Sequence, residues 1–283
     1  MRIALRWLGY GLGAILIIVL LAVAWVWFAS SRAISAPYEA QTERLAQPTP
    51  AQLADGERQA RTLGCFSCHG EGLRGNKMFD EPKVGVIWAP NLTRIAARAS
   101  DQQLARAIRQ GIGADGRALF IMPSGVYQHL SDQEVAALIA AVRKLPKAGS
   151  DTPDNVYGPI GRLGIVLGKF NPAPKQVEKF AALEPRRVGP EFDAGHRLAV
   201  LKCSGCHGAD LTGNEVKPGE LAPDLAIAGA YDLAAFTKLL RTGVPASGQK
   251  LGLMGTVARQ DFSHLNDEEI AALHAYLQAR AEK

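Results

Sequence analysis

All four cysteines of this 283-residue chain fall in two copies of one five-residue pattern. The copies are Cys65-Phe66-Ser67-Cys68-His69 and Cys203-Ser204-Gly205-Cys206-His207, spaced 138 residues apart. Cys-x-x-Cys-His is the spacing for covalent attachment of haem c: two thiols bond the porphyrin and the adjacent histidine ligates its iron. Two intervening residues in one helical turn set both sulfurs along the haem edge. The next residue then turns its imidazole under the metal. A zinc site would gather four ligands from Cys and His pairs, and the two copies together supply six such side chains. Each copy, however, opens its own set of helical patterns, which predicts two separate lobes. A disulfide inside Cys-x-x-Cys would be strained and redox-active, and the histidine would then have no role. The pattern predicts two covalently bound haem c groups and their iron.

A thioether opposite the histidine raises the haem potential and suits electron transfer. Met122 and Met254 occupy equivalent places, each in a Gly/Pro-containing loop after an Arg-x-Gly stretch, and are the expected sixth ligands. Met78 follows His69 by nine residues, too near to reach the opposite haem face. His129 and His264 are also duplicated and are the alternative ligands; they would give low-potential, bis-histidine irons. Pro90 and Pro223 stand where a loop passes behind the histidine-bearing face. A carbonyl there would accept the imidazole N–H and fix the ring, although a simple turn proline fits the same spacing. His196 and His274 have no counterparts and are expected at the surface or in packing.

The elements that must position these residues form a tandem repeat. Ala89-Pro90-Asn91-Leu92 matches Ala222-Pro223-Asp224-Leu225, and Arg109-Gln110-Gly111 matches Arg241-Thr242-Gly243. His129-Leu130-Ser131-Asp132-Gln133-Glu134 matches His264-Leu265-Asn266-Asp267-Glu268-Glu269. Thr49 with Pro50 starts a first helix that ends at Gly64. Ser100/Gln103, Ser131/Glu134 and Asn266/Glu269 read as capping boxes. The final helix of each half has helical apolar spacing at Val135, Leu138, Ile139 and Val142, and at Ile270, Leu273, Tyr276 and Leu277. No stretch sustains period-two alternation, so the fold class is all-α. Each lobe of about 90 residues buries only a modest core, and a covalent haem would supply much of its apolar centre.

From Trp7 to Ser31 there are 25 residues without a charge, and Leu12–Phe28 is continuously apolar apart from Gly13. At ~1.5 Å per residue this crosses a ~30 Å hydrocarbon layer. Trp7 and Tyr10 at one end, with Trp25, Trp27 and Phe28 at the other, fit the aromatic belts of a spanning helix. Arg2 and Arg6 precede it, which keeps the N-terminus cytoplasmic and exports the remainder. A cleaved signal peptide is the competing reading, but its apolar region normally runs 7–15 residues. The expected organisation is an anchor at 1–36, a tether at 37–51, a first haem domain at 52–146, a linker at 147–189 and a second haem domain at 190–283. Net charge is +5, divided unevenly. Residues 52–146 carry 12 Lys/Arg against 9 Asp/Glu, and residues 190–283 carry 9 against 12.

Both halves resemble class I c-type cytochromes, with Cys-x-x-Cys-His, a Pro-(Asn/Asp)-Leu loop, a methionine loop and a C-terminal helix. Ala89-Pro90-Asn91-Leu92-Thr93, Arg109-Gln110-Gly111, Met122-Pro123 and Leu130-Ser131-Asp132 are similar to the cytochrome subunits of membrane-bound alcohol, gluconate and sugar-acid dehydrogenases. The resemblance covers most of residues 52–283. It implies two tandem class I lobes, here behind the one transmembrane helix read from residues 7–31, relaying single electrons rather than transforming a substrate. The location implied is the bacterial inner (cytoplasmic) membrane, single-pass, with the C-terminal domains in the periplasm. Expected partners are the membrane and a redox protein: a dehydrogenase, a quinol-oxidising complex or a terminal oxidase. No nucleic acid is expected. A dihaem peroxidase or thiosulfate dehydrogenase is the enzymatic alternative, and it needs one iron with an open or labile position. A fixed subunit of a dehydrogenase or terminal oxidase complex is the other.

Overall fold

The structure is a computed structural model describing residues 2–217 and 219–282. It is mostly helical, 58% helix against 8% strand. One long helix, Arg2–Ser35, leads into two lobes of similar plan. Its side chains from Ile3 to Phe28 are largely exposed, and it is long and apolar enough to cross a membrane.

In the first lobe, helix Pro50–Thr62 starts at a reciprocal cap: the Gln52 N–H bonds Thr49 Oγ1 at 3.2 Å and the Thr49 N–H bonds Gln52 Oε1 at 2.8 Å. Gly64 then takes φ +77°, and the motif forms its own short helix, Cys65–His69. Helix Asp101–Arg109 carries the Ser100/Gln103 box and the closing helix Asp132–Lys144 carries the Ser131/Glu134 box. The second lobe repeats this with Asp193–Lys202, Ser204–His207, Leu233–Thr242 and the closing helix Asp267–Ala281, capped by Asn266/Glu269. Val135, Leu138 and Ile139 are buried in one core, and Ile270, Leu273, Tyr276 and Leu277 in the other; Val142 is half-buried. First and closing helices cross at glycine in both lobes. A Cβ at Gly56 would lie 2.9 Å from the Ala137 carbonyl oxygen, and one at Gly195 2.0 Å from that of Ala272.

The all-α expectation leaves out small antiparallel sheets. Asn76–Glu81 pairs with Gly85–Ala89, which also pairs with Val156–Tyr157; Asn214–Lys217 pairs with Glu220–Ala222. Asn76-Lys77-Met78-Phe79-Asp80-Glu81 is polar and mostly exposed, so no buried face writes an alternating pattern there.

Two segments read as connections are fixed to the first lobe. Within 37–51, the Arg109 guanidinium bonds Glu43, the Arg44 carbonyl and Asp132, and Leu45 packs on the core. Within 147–189 there are two helices, Pro159–Val166 and Ala173–Ala181. The buried Asn91 side chain donates to the carbonyls of Ala148 and Ser150 at 2.8 and 3.0 Å, pinning the start of this segment. Phe120, Tyr157 and Phe170 stack together with centroids 5.3 to 6.2 Å apart.

Candidate functional site

The two motifs sit in the same local frame. His69 Nδ1 lies 2.8 Å from the Pro90 carbonyl oxygen, and His207 Nδ1 lies 2.7 Å from that of Pro223. A carbonyl only accepts, so Nδ1 carries the proton and Nε2 keeps a free lone pair. Burial lowers both imidazole pKa values, against the opposing effect of that hydrogen bond. Each ring is therefore a neutral, oriented Nε2 donor.

The loop behind each histidine is also built twice. The Gly75 N–H bonds the His69 carbonyl and the Gly213 N–H bonds the His207 carbonyl, both at 2.8 Å. Leu73 and Leu211 are fully buried yet left-handed, with φ of 55° and 66°. This conformation costs a branched residue about 1–2 kcal/mol. In both lobes that cost is offset by burying the leucine at the foot of the motif.

The four thiols are unpaired, and burial pushes those of Cys65 and Cys203 up to about 12. They are held neutral within apolar surroundings. Met122 packs on the first core with Cys65, Phe66, Leu104 and Ile108. Met254 packs on the second core, which contains Cys203, Phe236 and Leu240. Their backbones differ. Met122 lies in a loop before Pro123, whereas Met254 is in the first turn of helix Leu253–Gln260, not in a loop as the sequence predicts. Pro123 restricts the residue before it, and the second lobe has Gly255 instead, so the helix can form around Met254.

This set suits haem c in each lobe: two protonated thiols, a free Nε2 and a thioether on an apolar wall. Among the described residues, no group of three or more His, Cys, Asp or Glu side chains is placed to hold a metal ion.

The other histidines divide by role. His196 and His274 are buried and donate to the Pro185 and Tyr231 carbonyls at 2.9 and 2.8 Å, beside Tyr276 and Phe236 respectively. They are packing residues, not surface ones. His129 and His264 lie at the contact between lobes. The Arg197 guanidinium donates to the His129 carbonyl and to Glu134, while that of Arg58 donates to the His264 carbonyl and to Glu269. Each arginine comes from the first helix of one lobe, and each glutamate caps the closing helix of the other. The contact is thus an approximate two-fold, as in an isologous dimer interface, made within one chain.

Both motifs line this contact. One methyl of Val126, in the first lobe, lies 3.3 Å from where a Cβ on Gly205 would be. In the mirrored position Asp261, from the second lobe, sets a carboxylate oxygen 3.3 Å from the Cβ position of Gly64, beside Ser67. The Lys202 ammonium, just before the second motif, donates to Thr62 Oγ1 at 2.6 Å, just before the first. Burial pulls Lys202 down to about 8, against the opposing pull of Glu269.

Asp261 breaks the two-fold. One of its oxygens has no hydrogen-bond partner, and burial pushes its carboxyl up to about 6, against Ser67 and Lys202. Between about pH 4 and 6 the folded chain holds a proton that the unfolded chain releases, so stability falls as pH rises through that window. We expect Asp261→Asn to stabilise the protein by about 1–3 kcal/mol at pH 7.5 and by much less at pH 4. Denaturant titrations at both pH values check this; an equal change at both would contradict it.

Residues 53–146 and 192–281 each match the cytochrome c family. The fructose dehydrogenase cytochrome subunit of Gluconobacter japonicus is 24% identical over 274 residues, covering 82% of this chain and 54% of that protein. The sulfur carrier protein FdhD of Anaeromyxobacter sp. (strain K) is 35% identical over 100 residues, covering 31% of this chain and 34% of that protein. The chain spans about half the length of the first relative and about a third of the second.

Proposed function

Because the chain belongs to the cytochrome c family, with two copies of its domain, we propose that it is a membrane-anchored dihaem electron relay serving a dehydrogenase. Cys65 and Cys68, and Cys203 and Cys206, would hold one haem c each. His69 and Met122 would ligate one iron, and His207 and Met254 the other. When bound, haem c supplies a one-electron iron couple. The protein's part is to hold, orient and shield. The Pro90 and Pro223 carbonyls fix the imidazoles and raise their basicity. The left-handed Leu73 and Leu211 close the protein beneath each motif, and the methionines complete the apolar wall.

The observation that carries this reading is the interlobe contact, which both motifs line and which duplicated Arg–Glu pairs hold. Because residues at both motifs line one contact, an electron entering one lobe would pass to the other without diffusion of either lobe. With both irons ligated by protein, the chain would exchange electrons and leave substrate chemistry to its partner. The long apolar helix would cross the bacterial inner membrane once and leave both lobes in the periplasm. The likeness to a fructose dehydrogenase cytochrome subunit supports a dehydrogenase as electron donor.

Mild-detergent isolation of the full-length protein tests the partnership. We expect a dehydrogenase subunit to co-isolate at a fixed ratio and its substrate to reduce both haems. A protein that isolates alone, and that no dehydrogenase substrate reduces in the native membrane, would overturn it.

A further inference from the structure

Helix Pro159–Val166 lies outside both stretches that match the family. One face is buried in the first lobe. Ile165 is buried, and a Cβ on Gly161 would lie 2.1 Å from the Val84 carbonyl oxygen. The opposite stripe is apolar and exposed: Ile160 at 56%, Leu163 at 43% and Leu167 at 63%. These positions follow the i, i+3, i+7 spacing of one helix face. A soluble lobe gains nothing by holding such a stripe in water.

What covers it follows from where the helix is pinned. The Arg162 guanidinium stacks 3.8 Å over the Trp27 ring and donates to the hydroxyls of Ser30 and Ser31 at 3.0 and 2.9 Å. Trp27 and Phe28 end the apolar stretch of the long helix, and tryptophan at such an end marks headgroup depth. A helix clamped to the side of that stretch lies at the same depth. Exposed Lys83 and Lys169 flank it, and the Lys83 carbonyl accepts the Ile160 N–H at 2.9 Å. Apolar residues below and lysines alongside match a lipid boundary of acyl chains and phosphates.

We infer that the Ile160–Leu163–Leu167 stripe is inserted in the headgroup boundary of the membrane that the N-terminal helix crosses. The inference rests on the spanning reading of that helix. Its consequence is that the first lobe is fixed against the lipid surface rather than swinging on a tether. The Tyr38 N–H bond to the Gly116 carbonyl, 2.9 Å, fixes the same end of the helix to the lobe a second time.

Photo-crosslinking of the full-length, haem-loaded protein in phosphatidylethanolamine/phosphatidylglycerol nanodiscs tests this. p-Benzoylphenylalanine replaces Leu163, Ile18 in the long helix, or Leu221, an exposed residue of the second lobe. All three side chains are exposed, so the replacements leave the cores intact. We expect lipid adducts by mass spectrometry at Ile18 and Leu163 and none at Leu221. Lipid at Ile18 with none at Leu163, or a Leu163 adduct to a partner protein or a second copy, overturns the inference and leaves the span standing. Lipid at Leu221 as well overturns it, since labelling would then be unspecific. No lipid at Ile18 overturns the spanning reading and this inference with it.

Discussion

Met122→Ala and Met254→Ala will each abolish about half of the weak near-infrared sulfur-to-iron band of the oxidised protein. Each will also lower one of two midpoint potentials, by on the order of 100 mV within the ~0.8 V that axial ligands span. The sign follows from ligand softness. A thioether favours the ferrous ion, and replacing it with water or a harder ligand favours the ferric one. The side chains rest on the same cores as Cys65 and Cys203, so truncation would open space in the layer that holds each motif instead of in a remote one. Met78, exposed on a strand, serves as control and should change neither quantity when replaced. Spectra and potentials that survive both alanine substitutions would remove methionine from the ligand set and leave the duplicated His129 and His264 to be tested.

A larger loss is expected when one pair of cysteines is removed. Cys65→Ser with Cys68→Ser will yield a chain that carries one haem by denatured mass and whose first lobe no longer unfolds cooperatively. A lobe of about 90 residues buries only a modest apolar centre, and a covalent haem would fill much of it. The expected cost is comparable with the whole ~5–15 kcal/mol stability of a domain. The second lobe should suffer too, because Leu201 is buried in the first lobe's core and Lys202 bonds Thr62. Thermal unfolding followed by circular dichroism reads the loss, and an unchanged melting curve for the one-haem chain would contradict it.

Much of the site was legible because its chemistry is local. Cys-x-x-Cys-His needs one helical turn, and a capping box needs three residues, so both are written in adjacent letters. The histidine–proline carbonyl contact spans 21 residues in one lobe and 16 in the other, and it is legible because Pro90 and Pro223 recur at equivalent places in the repeat. The interlobe contact is not written in the sequence. Arg58 and Arg197 recur, as do Glu134 and Glu269, but an ion pair between lobes leaves no periodicity in either. Asp261 could have been noticed by overlaying the repeats, where it falls opposite apolar Val126. The interlobe segment hid its helices behind Gly158, Pro159, Gly161, Gly164 and Gly168. Pro159 at a first helical position starts a helix, and Gly161 is required by the close approach of Val84. Punctuation residues there build structure, although in sequence they mark a linker.

One chain should hold two electron-accepting centres joined through the interlobe contact. The most direct test is an anaerobic reductive titration of the intact protein, followed in the visible haem bands. We expect uptake of two electrons per chain, one for each motif, with reducing equivalents redistributing between the lobes before any second chain is met. Uptake of a single electron, or two populations that equilibrate only by collision between chains, would contradict it.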